Sequence, residues 1–507
     1  MQRQSMFIRN SKDSVAQWSV LSLFMAFRIA SGATHADPED RSLDARLTIA
    51  EDPSGNIATF KVDGPIDRSN PFFQSLGSNG RSCATCHVAA QAMSFTPEHA
   101  RRLYRETRGT DPLFASVDGA NCDTVAPEDR GGHSLLLQKG LIRVSLPVPP
   151  NAEYSISVVK DPYGCALRID PKTALLTASV YRRPLPSANL SFLSAVMFDG
   201  RETLAPLTDL STATASLRSD LSHQVIDATT GHAQAATPPT ATQIRDIVDF
   251  ELALFTAQYR DEDAGRLDAG GGLGGPLNLS VQVYYPGIND SLGHDPAGYP
   301  FTPASMQLFA AWAPASSNID DRDGSARADI AAGEKLFNSA AMTISNVRGL
   351  NDSPALGRPS SFTGNCATCH DAPNIGNHSL PLPLDIGTSH IAGSGLESDP
   401  TLAAALKELN PADLPVFLIS GCPDPFSSGT PASFYTTDPG RALITGRCSD
   451  FNRLKGPVLR GLAARAPYFH NGAAESLNEA VRFYNVRFQM GLTQTEMRQL
   501  VAFLRTL

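Results

Sequence analysis

Cys366-Ala367-Thr368-Cys369-His370 repeats, letter for letter, Cys83-Ala84-Thr85-Cys86-His87. Two thiols three residues apart, followed at once by an imidazole, form C-x-x-C-H, the attachment signature of c-type haem. The thiols add across the porphyrin vinyl groups, and the adjacent His is placed to bind iron from the proximal side. A disulfide turn, a redox C-x-x-C and half a zinc site are the other readings of such a motif. Zinc would need a second C-x-x-C or a following His pair nearby, and neither copy has one. The repeat therefore predicts two covalently bound haem c groups. Cys83, Cys86, Cys366 and Cys369 are the attachment points; His87 and His370 are the proximal iron ligands.

The rest of the chain bounds what those groups could do. With 507 residues, 42% hydrophobic and 18% charged, it is globular and long enough for two or three domains. A formal charge of −9 with no Lys/Arg run argues against nucleic acid and for a protein electron donor with a basic patch. Arg3, Arg9 and Lys12 precede an apolar stretch, Val15 to Phe27, too short to span a bilayer. Thr34-His35-Ala36 before Asp37 follows as a cleavage site. Residues 1–36 thus read as a secretory signal peptide, a retained membrane anchor being the alternative, and export to the periplasm is expected. Four of the eight Cys are left over, one pair after each pentapeptide. Cys122–Cys165 and Cys422–Cys448 are the economical disulfides in an oxidising compartment, although spacing alone does not decide connectivity.

The two halves follow one plan. Ile330 to Phe337 reads as a helix leading into the second pentapeptide. Thr493 and Glu496 form a capping box before a closing helix whose apolar face is Leu500, Val501, Phe503 and Leu504. In the first half Pro71 to Leu76 precedes the pentapeptide, and Thr240 to Gln258 reads as the closing helix. Leu141 to Leu146 and Tyr154 to Val159 alternate apolar and polar residues, predicting a small antiparallel β insertion at about 138–182. The Gly/Pro-rich stretch 266–325, with Gly270-Gly271-Gly272, lacks a phosphate-loop Lys and reads as an irregular connection. The expected fold is mostly α: two cytochrome-c-like haem domains in tandem, 37–265 and 326–507, with that β insertion and long loops.

Leu459-Arg460-Gly461-Leu462-Ala463-Ala464-Arg465-Ala466-Pro467-Tyr468-Phe469-His470-Asn471-Gly472 resembles the bacterial di-haem cytochrome c peroxidase and MauG superfamily. So do Thr437 to Gly446, Ser476 to Asn485 and, less specifically, Met197-Phe198-Asp199-Gly200-Arg201. The resemblance covers about 70–265 and 326–507. It implies peroxide chemistry at the N-terminal haem, fed with electrons through the C-terminal one. It also implies a sixth ligand to the C-terminal iron at Tyr484, where peroxidases carry Met and MauG-like members Tyr; Met490 is the other candidate. A phenolate stabilises the more oxidised iron, so Tyr484 favours storage of oxidising equivalents over simple relay. His470 is expected in a supporting role.

On the N-terminal side, His99 and Met93 are the candidates for a sixth ligand. Gln224 and His232 occupy the stretch where the family keeps its acid–base groups, and His232 is expected to shuttle the peroxide proton with Gln224 orienting it. The family's bridging Trp is Phe198 here. No Asn stands near Arg183, so a Ca2+ site with the carbonyls around Arg465 and Pro467 is not predicted. The functional expectation is a periplasmic haem peroxidase-type oxidoreductase, reducing hydrogen peroxide with electrons from a small cytochrome or cupredoxin. A MauG-like oxidation of an organic or protein substrate, or plain electron carriage, are the alternatives. The family allows a homodimer.

Overall fold

The structure, a computed structural model, describes residues 45–203, 210–313, 322–391, 399–426 and 431–507. The expected signal peptide lies outside the described residues. Twelve strands are ordered along the chain: β1 Leu47–Asp52, β2 Gly55–Lys61, β3 Ile142–Pro147, β4 Ser155–Lys160, β5 Leu167–Ile169, β6 Leu176–Arg182, β7 Leu254–Asp261, β8 Gly265–Arg266, β9 Met342–Ser345, β10 Ser361–Gly364, β11 Val416–Pro423 and β12 Pro431–Thr436. The longer helices are α1 Pro97–Thr107, α2 Leu210–Gly231, α3 Ala241–Leu252, α4 Arg322–Ser339, α5 Leu477–Arg487 and α6 Gln494–Leu504.

The helices that frame the pentapeptides form where apolar spacing and caps direct them. Thr493 accepts from the Glu496 N–H, and Glu496 reaches back to the Thr493 N–H. This is the reciprocal satisfaction of free helix-end donors that a capping box provides. Leu500 and Phe503 then pack with Ile330 and Phe337 of α4 in one core. The two helices cross where Gly333 meets the Gln499 carbonyl; a Cβ there would lie 2.0 Å from that oxygen. In the first half, Phe72, Leu221, Val225, Ile247, Val248 and Phe250 form the corresponding core. No described helix is long and apolar enough to cross a membrane.

Strand is more extensive than the mostly α expectation allows. There are four sheets, with orders β1-β2-β7-β8, β3-β6-β5, β12-β11-β4 and β10-β9. The two strands expected of the insertion both form, but they do not pair with each other. β3 pairs with β6, whereas β4 pairs with β11, Ser157 opposite Leu418, so the insertion is stitched to the C-terminal half. The expected closing helix Thr240 to Gln258 ends at Leu252, and the chain continues as β7 against β2. Leu254 to Asp261 carries β-favouring Phe, Thr and Tyr and meets a waiting partner, which overrides local helix propensity. Only a single 3-10 turn, Pro71–Phe73, precedes the first pentapeptide.

Cys422–Cys448 is bonded, closing 26 residues. The other expected disulfide is absent: Cys122 and Cys165 are buried free thiols. Each has a local partner, Asn121 O accepting from Cys165 Sγ at 3.3 Å and Asp123 from Cys122 Sγ at 3.5 Å.

One buried charge cluster ties three distant segments. Arg182, at the end of β6, grips Asp438 through Nε at 2.6 Å and Nη2 at 2.9 Å, and its Nη1 reaches Asp199. All three side chains are almost fully buried. Removing the guanidinium would leave the desolvated Asp438 carboxylate without its cation and Asp199 held by Arg201 alone. Arg182→Ala is therefore expected to lower the unfolding free energy by about 3–5 kcal/mol in denaturant titrations; a loss under about 1 kcal/mol would show that water replaces the cation.

Candidate active site

The two pentapeptides fold identically, for a reason visible in their third residue. The N–H of Ser82 donates to Thr85 Oγ1 at 3.1 Å, and that of Asn365 to Thr368 Oγ1 at 3.0 Å. Each Thr thus locks a 3-10 turn that brings both thiols and the imidazole to one cavity wall. His87 Nδ1 lies 3.0 Å from the Met93 carbonyl, and His370 Nδ1 lies 3.2 Å from that of Gly376. With the proton committed to Nδ1, Nε2 keeps its lone pair for a metal. Phe72 and Phe337 lean on these rings with the same 6.3 Å centroid separation. Burial keeps both imidazoles neutral, pulling His370 down to about 4.

The four thiols are unbonded. Burial pushes Cys86, Cys366 and Cys369 up to about 12, and Cys83 up as well. A redox C-x-x-C works through an acidic thiol, so these pairs are poor exchange nucleophiles. Among the described residues, no cluster of metal-binding geometry includes them.

The first cavity holds Cys83, Cys86 and His87 together with Gln224 and His232. Gln224, Ala228 and His232 succeed each other at intervals of four, so α2 and its immediate continuation present one stripe to the cavity. His232 Nδ1 is hydrogen-bonded to Asp118, whose other oxygen pairs with Arg81. Burial alone would raise the Asp118 pKa, but Arg81 and His232 outweigh it and hold the carboxyl below its usual range. The arrangement fixes the His232 ring and leaves Nε2 available. Asp118, Met197, Arg201, Gln224 and His232 also line a neighbouring cleft bounded by Val144 to Pro150 and Leu443, so the two spaces share these side chains as a wall.

The second cavity holds Cys366, Cys369 and His370 with both Tyr484 and Met490. Tyr484 stacks on Phe488 at 5.8 Å and is flanked by Phe469 and Phe483. Burial raises its pKa, and nothing among the described residues hydrogen-bonds its hydroxyl. His470 also lines this cavity, but its nitrogens are shared with Thr388 and Ser389, and Asp438 lies 3.8 Å away. It supports the wall.

Phe198, Arg183, Pro184 and Lys455 line both cavities, and the Phe198 carbonyl accepts from the Lys455 N–H at 2.6 Å. Phe198 sits in a turn with left-handed Met197 and Gly200. A Cβ on Gly200 would come 2.8 Å from Arg441 Nη1. Lys455 is buried, makes no ion pair among the described residues, and has its ammonium pulled down to about 8 by burial. Arg460, on the first cavity, has Nε and Nη1 buried without partners. Buried cations without counterions are costly. Two thiols, a bare imidazole nitrogen, apolar walls and unneutralised cations fit haem, whose two propionates supply the missing anions.

Other expectations land elsewhere. His99 is on α1, bonded to Arg102 at 2.9 Å, and lines neither cavity. Met93 meets His87 through its carbonyl and is not among the residues lining the first cavity. The Arg465 carbonyl, which the resemblance offers to Ca2+, accepts from Arg183 at 3.2 Å. The same guanidinium reaches the carbonyls of Phe95, Lys139 and Gly140, so a tethered cation occupies that ring of oxygens. Sequence reasoning missed Asp118, Arg81 and Lys455, which carry no motif, and gave no role to Arg460 within the Leu459 to Gly472 stretch; tertiary packing reveals them.

No protein-family model matches the chain. It is 34% identical over 84 residues to the cytochrome c551 peroxidase of Nitrosomonas europaea, 16% of this chain and 23% of that protein. It is 30% identical over 153 residues to a cytochrome-c peroxidase of Denitromonas iodatirespirans, 28% and 36% of the two chains. It is 42% identical over 72 residues to a cytochrome c peroxidase of Escherichia coli, 14% and 15%. The chain thus spans between 15% and 36% of the length of these curated relatives. A solved structure of a MauG-like protein associated with microbial copper homeostasis aligns over 86% of this chain and 87% of that one, at 14% identity and a TM-score of 0.31. The resemblance to cytochrome c peroxidases therefore has named relatives behind it, each matching locally.

Glu251, on α3 and lining the first cavity, is buried with Oε2 unpartnered, and burial pushes its pKa from 4.5 up to about 8. The unfolded chain releases this proton near 4.5 while the folded one holds it. Stability should therefore fall as pH rises from about 4.5 to about 8 and level off above, by a few kcal/mol at most (on the order of one unit per 1.4 kcal/mol). Glu251→Gln should flatten that slope in urea midpoints; an unchanged slope would rule out Glu251 as its source.

Proposed function

We propose that this protein is an exported, periplasmic di-haem c-type cytochrome acting as a peroxidase. Hydrogen peroxide is reduced at the cavity of His87, and electrons from a small donor cytochrome or cupredoxin pass by way of the cavity of His370. One peroxide takes up two electrons and two protons and leaves as two waters. Haem, when bound, supplies the redox chemistry of O–O cleavage. The observation that carries the reading is the polar group set in the first cavity. His232, aligned by Asp118 and Arg81, lines that cavity with Gln224 and shares with it a neighbouring cleft.

In this reading His232 Nε2 takes the proton from one peroxide oxygen and returns it to the other, and Gln224 orients the substrate. Asp118 keeps the proton-bearing Nδ1 engaged so that Nε2 does the work. Phe198, shared by both cavities, fills the space between the redox centres without an indole N–H. The bonded Cys422–Cys448 pair supports an oxidising compartment.

A second reading, MauG-like oxidation of an organic or protein substrate, is favoured by one observation, the unpartnered phenol of Tyr484 in the second cavity. A hard anionic oxygen on that iron would stabilise oxidised states and suit storage of oxidising equivalents.

His232→Ala is expected to cut peroxide turnover by roughly 100-fold or more with both haems retained by pyridine haemochrome assay; undiminished turnover would end the shuttle role. Tyr484→Phe should abolish the ferric EPR signature of the C-terminal haem if the phenol ligates it. An identical spectrum would move the ligand to Met490 and remove the support for the second reading.

A further inference from the structure

Beside His370 lie three buried side chains that the proposed function does not use, one of which, His378, also lines the second cavity. Asp290, from the irregular connection, Asp371, immediately after His370, and His378 each bring one ligand atom to within 4.8 Å of the other two. Asp290 and Asp371 are fully buried and His378 is 5% exposed. The carboxylates are well anchored on one side. Asp290 Oδ2 accepts from the His294 N–H at 2.8 Å and from the Leu292 N–H at 3.2 Å, with His294 Nδ1 at 2.9 Å. Asp371 Oδ1 accepts from the Ser379 N–H at 2.7 Å.

On the other side they are starved. Asp290 Oδ1 and Asp371 Oδ2 are buried with no hydrogen-bond donor, and so is the hydroxyl of fully buried Ser379. His378 Nδ1 lies 3.3 Å from Asp371 Oδ2 and 3.4 Å from the Leu380 nitrogen, and His294 Nδ1 pairs with the anchored oxygen of Asp290. Both acids thus face imidazoles, and neither forms an ion pair with Lys or Arg among the described residues. Isolated buried carboxylate oxygens are costly unless paired or bound to a metal.

We infer that Asp290, Asp371 and His378 form a binding site for one divalent cation of the Zn2+ type. Two carboxylate oxygens and one imidazole nitrogen are a donor set for a small, borderline-soft ion, with a water or Ser379 Oγ for the fourth position. Ca2+ would want six or more oxygens, which these three residues do not supply. The ion would neutralise the two acids. It would also clamp the connection onto the loop 371–379, whose Gly376 carbonyl holds His370 Nδ1. Asn289 already makes one such tie, donating to the Asp371 carbonyl at 2.9 Å.

The test is a metal titration of the purified holoprotein, haems in place, after dialysis against a chelator. Zn2+ should bind at one equivalent per chain, counted by elemental analysis separately from iron. Asp290→Asn should weaken uptake at least tenfold while leaving the pyridine haemochrome content unchanged, and His378→Gln should do the same. Failure of the wild-type holoprotein to take up Zn2+ overturns the site, as does uptake that neither variant weakens or a preference for Ca2+ over Zn2+. A variant that fails to fold leaves the wild-type stoichiometry to decide. None of these readouts depends on peroxide turnover, so they stand or fall separately from the proposed function.

Discussion

Arg182 is the point through which the shared wall of the two cavities is held. Its guanidinium takes Asp438 in a two-pronged grip and reaches Asp199 with the remaining nitrogen. Those three residues belong to a strand, to the turn that carries Phe198 and to the loop that backs His470. The pair keeps both acids ionised: burial would raise them, and the attraction to Arg182 brings Asp199 to about 2 and Asp438 below its usual range. Phe198 and Arg183, the immediate neighbours of Asp199 and Arg182 in the chain, then have no freedom to leave the partition. The buried network contributes specificity of placement more than net stability, because desolvating three charges consumes most of the Coulomb gain.

Two identical pentapeptides thus end up in unlike surroundings. The local turn is the same, down to the Thr hydroxyl that accepts from the preceding N–H, so the difference arises entirely from what distant segments bring. α2 brings a polar stripe to His87, including a His held by an Asp–Arg pair. α5 brings an aromatic cluster around a phenol to His370. The His232–Gln224 pair can handle a proton beside His87; beside His370 the cluster of Phe469, Phe483 and Phe488 presents the phenol of Tyr484 instead. The division of labour proposed for the two centres rests on that contrast.

Much of this was legible in the residues. The pentapeptides, the capping box of α6, the Cys422–Cys448 pair and the cavity placement of Gln224, His232, Tyr484 and Met490 all follow from short-range pattern or from the resemblance. What was hidden is long-range. The alternation of Tyr154 to Val159 announces a strand but not that its partner lies about 260 residues on, in β11, since register is set by the partner and by burial rather than by the strand alone. Leu254 to Asp261 shows why a helical pattern can be cut short by an available sheet edge. Cys122 and Cys165, expected as a disulfide, meet in space as neighbouring free thiols with no bond between them. Asp118 gave no sign at all, because its role is created by two partners, one 37 residues before it and one 114 after it.

The unpaired cations of the partition carry the reasoning one step further. Lys455 is buried without an ion pair among the described residues, and Arg460 with two unpartnered nitrogens and Glu334 as the acid within electrostatic reach; burying such an ion costs several kcal/mol. A wall of this composition is poor as an empty wall and good as one built against anions. The pentapeptide turns, by contrast, depend only on hydrogen bonds within three or four residues and can form early. Local turns would present the thiols first, and the cationic partition would close favourably only once carboxylates stood between its halves. On this reasoning the proposed haem groups, when bound, would be as much part of the core as Phe72 or Phe337.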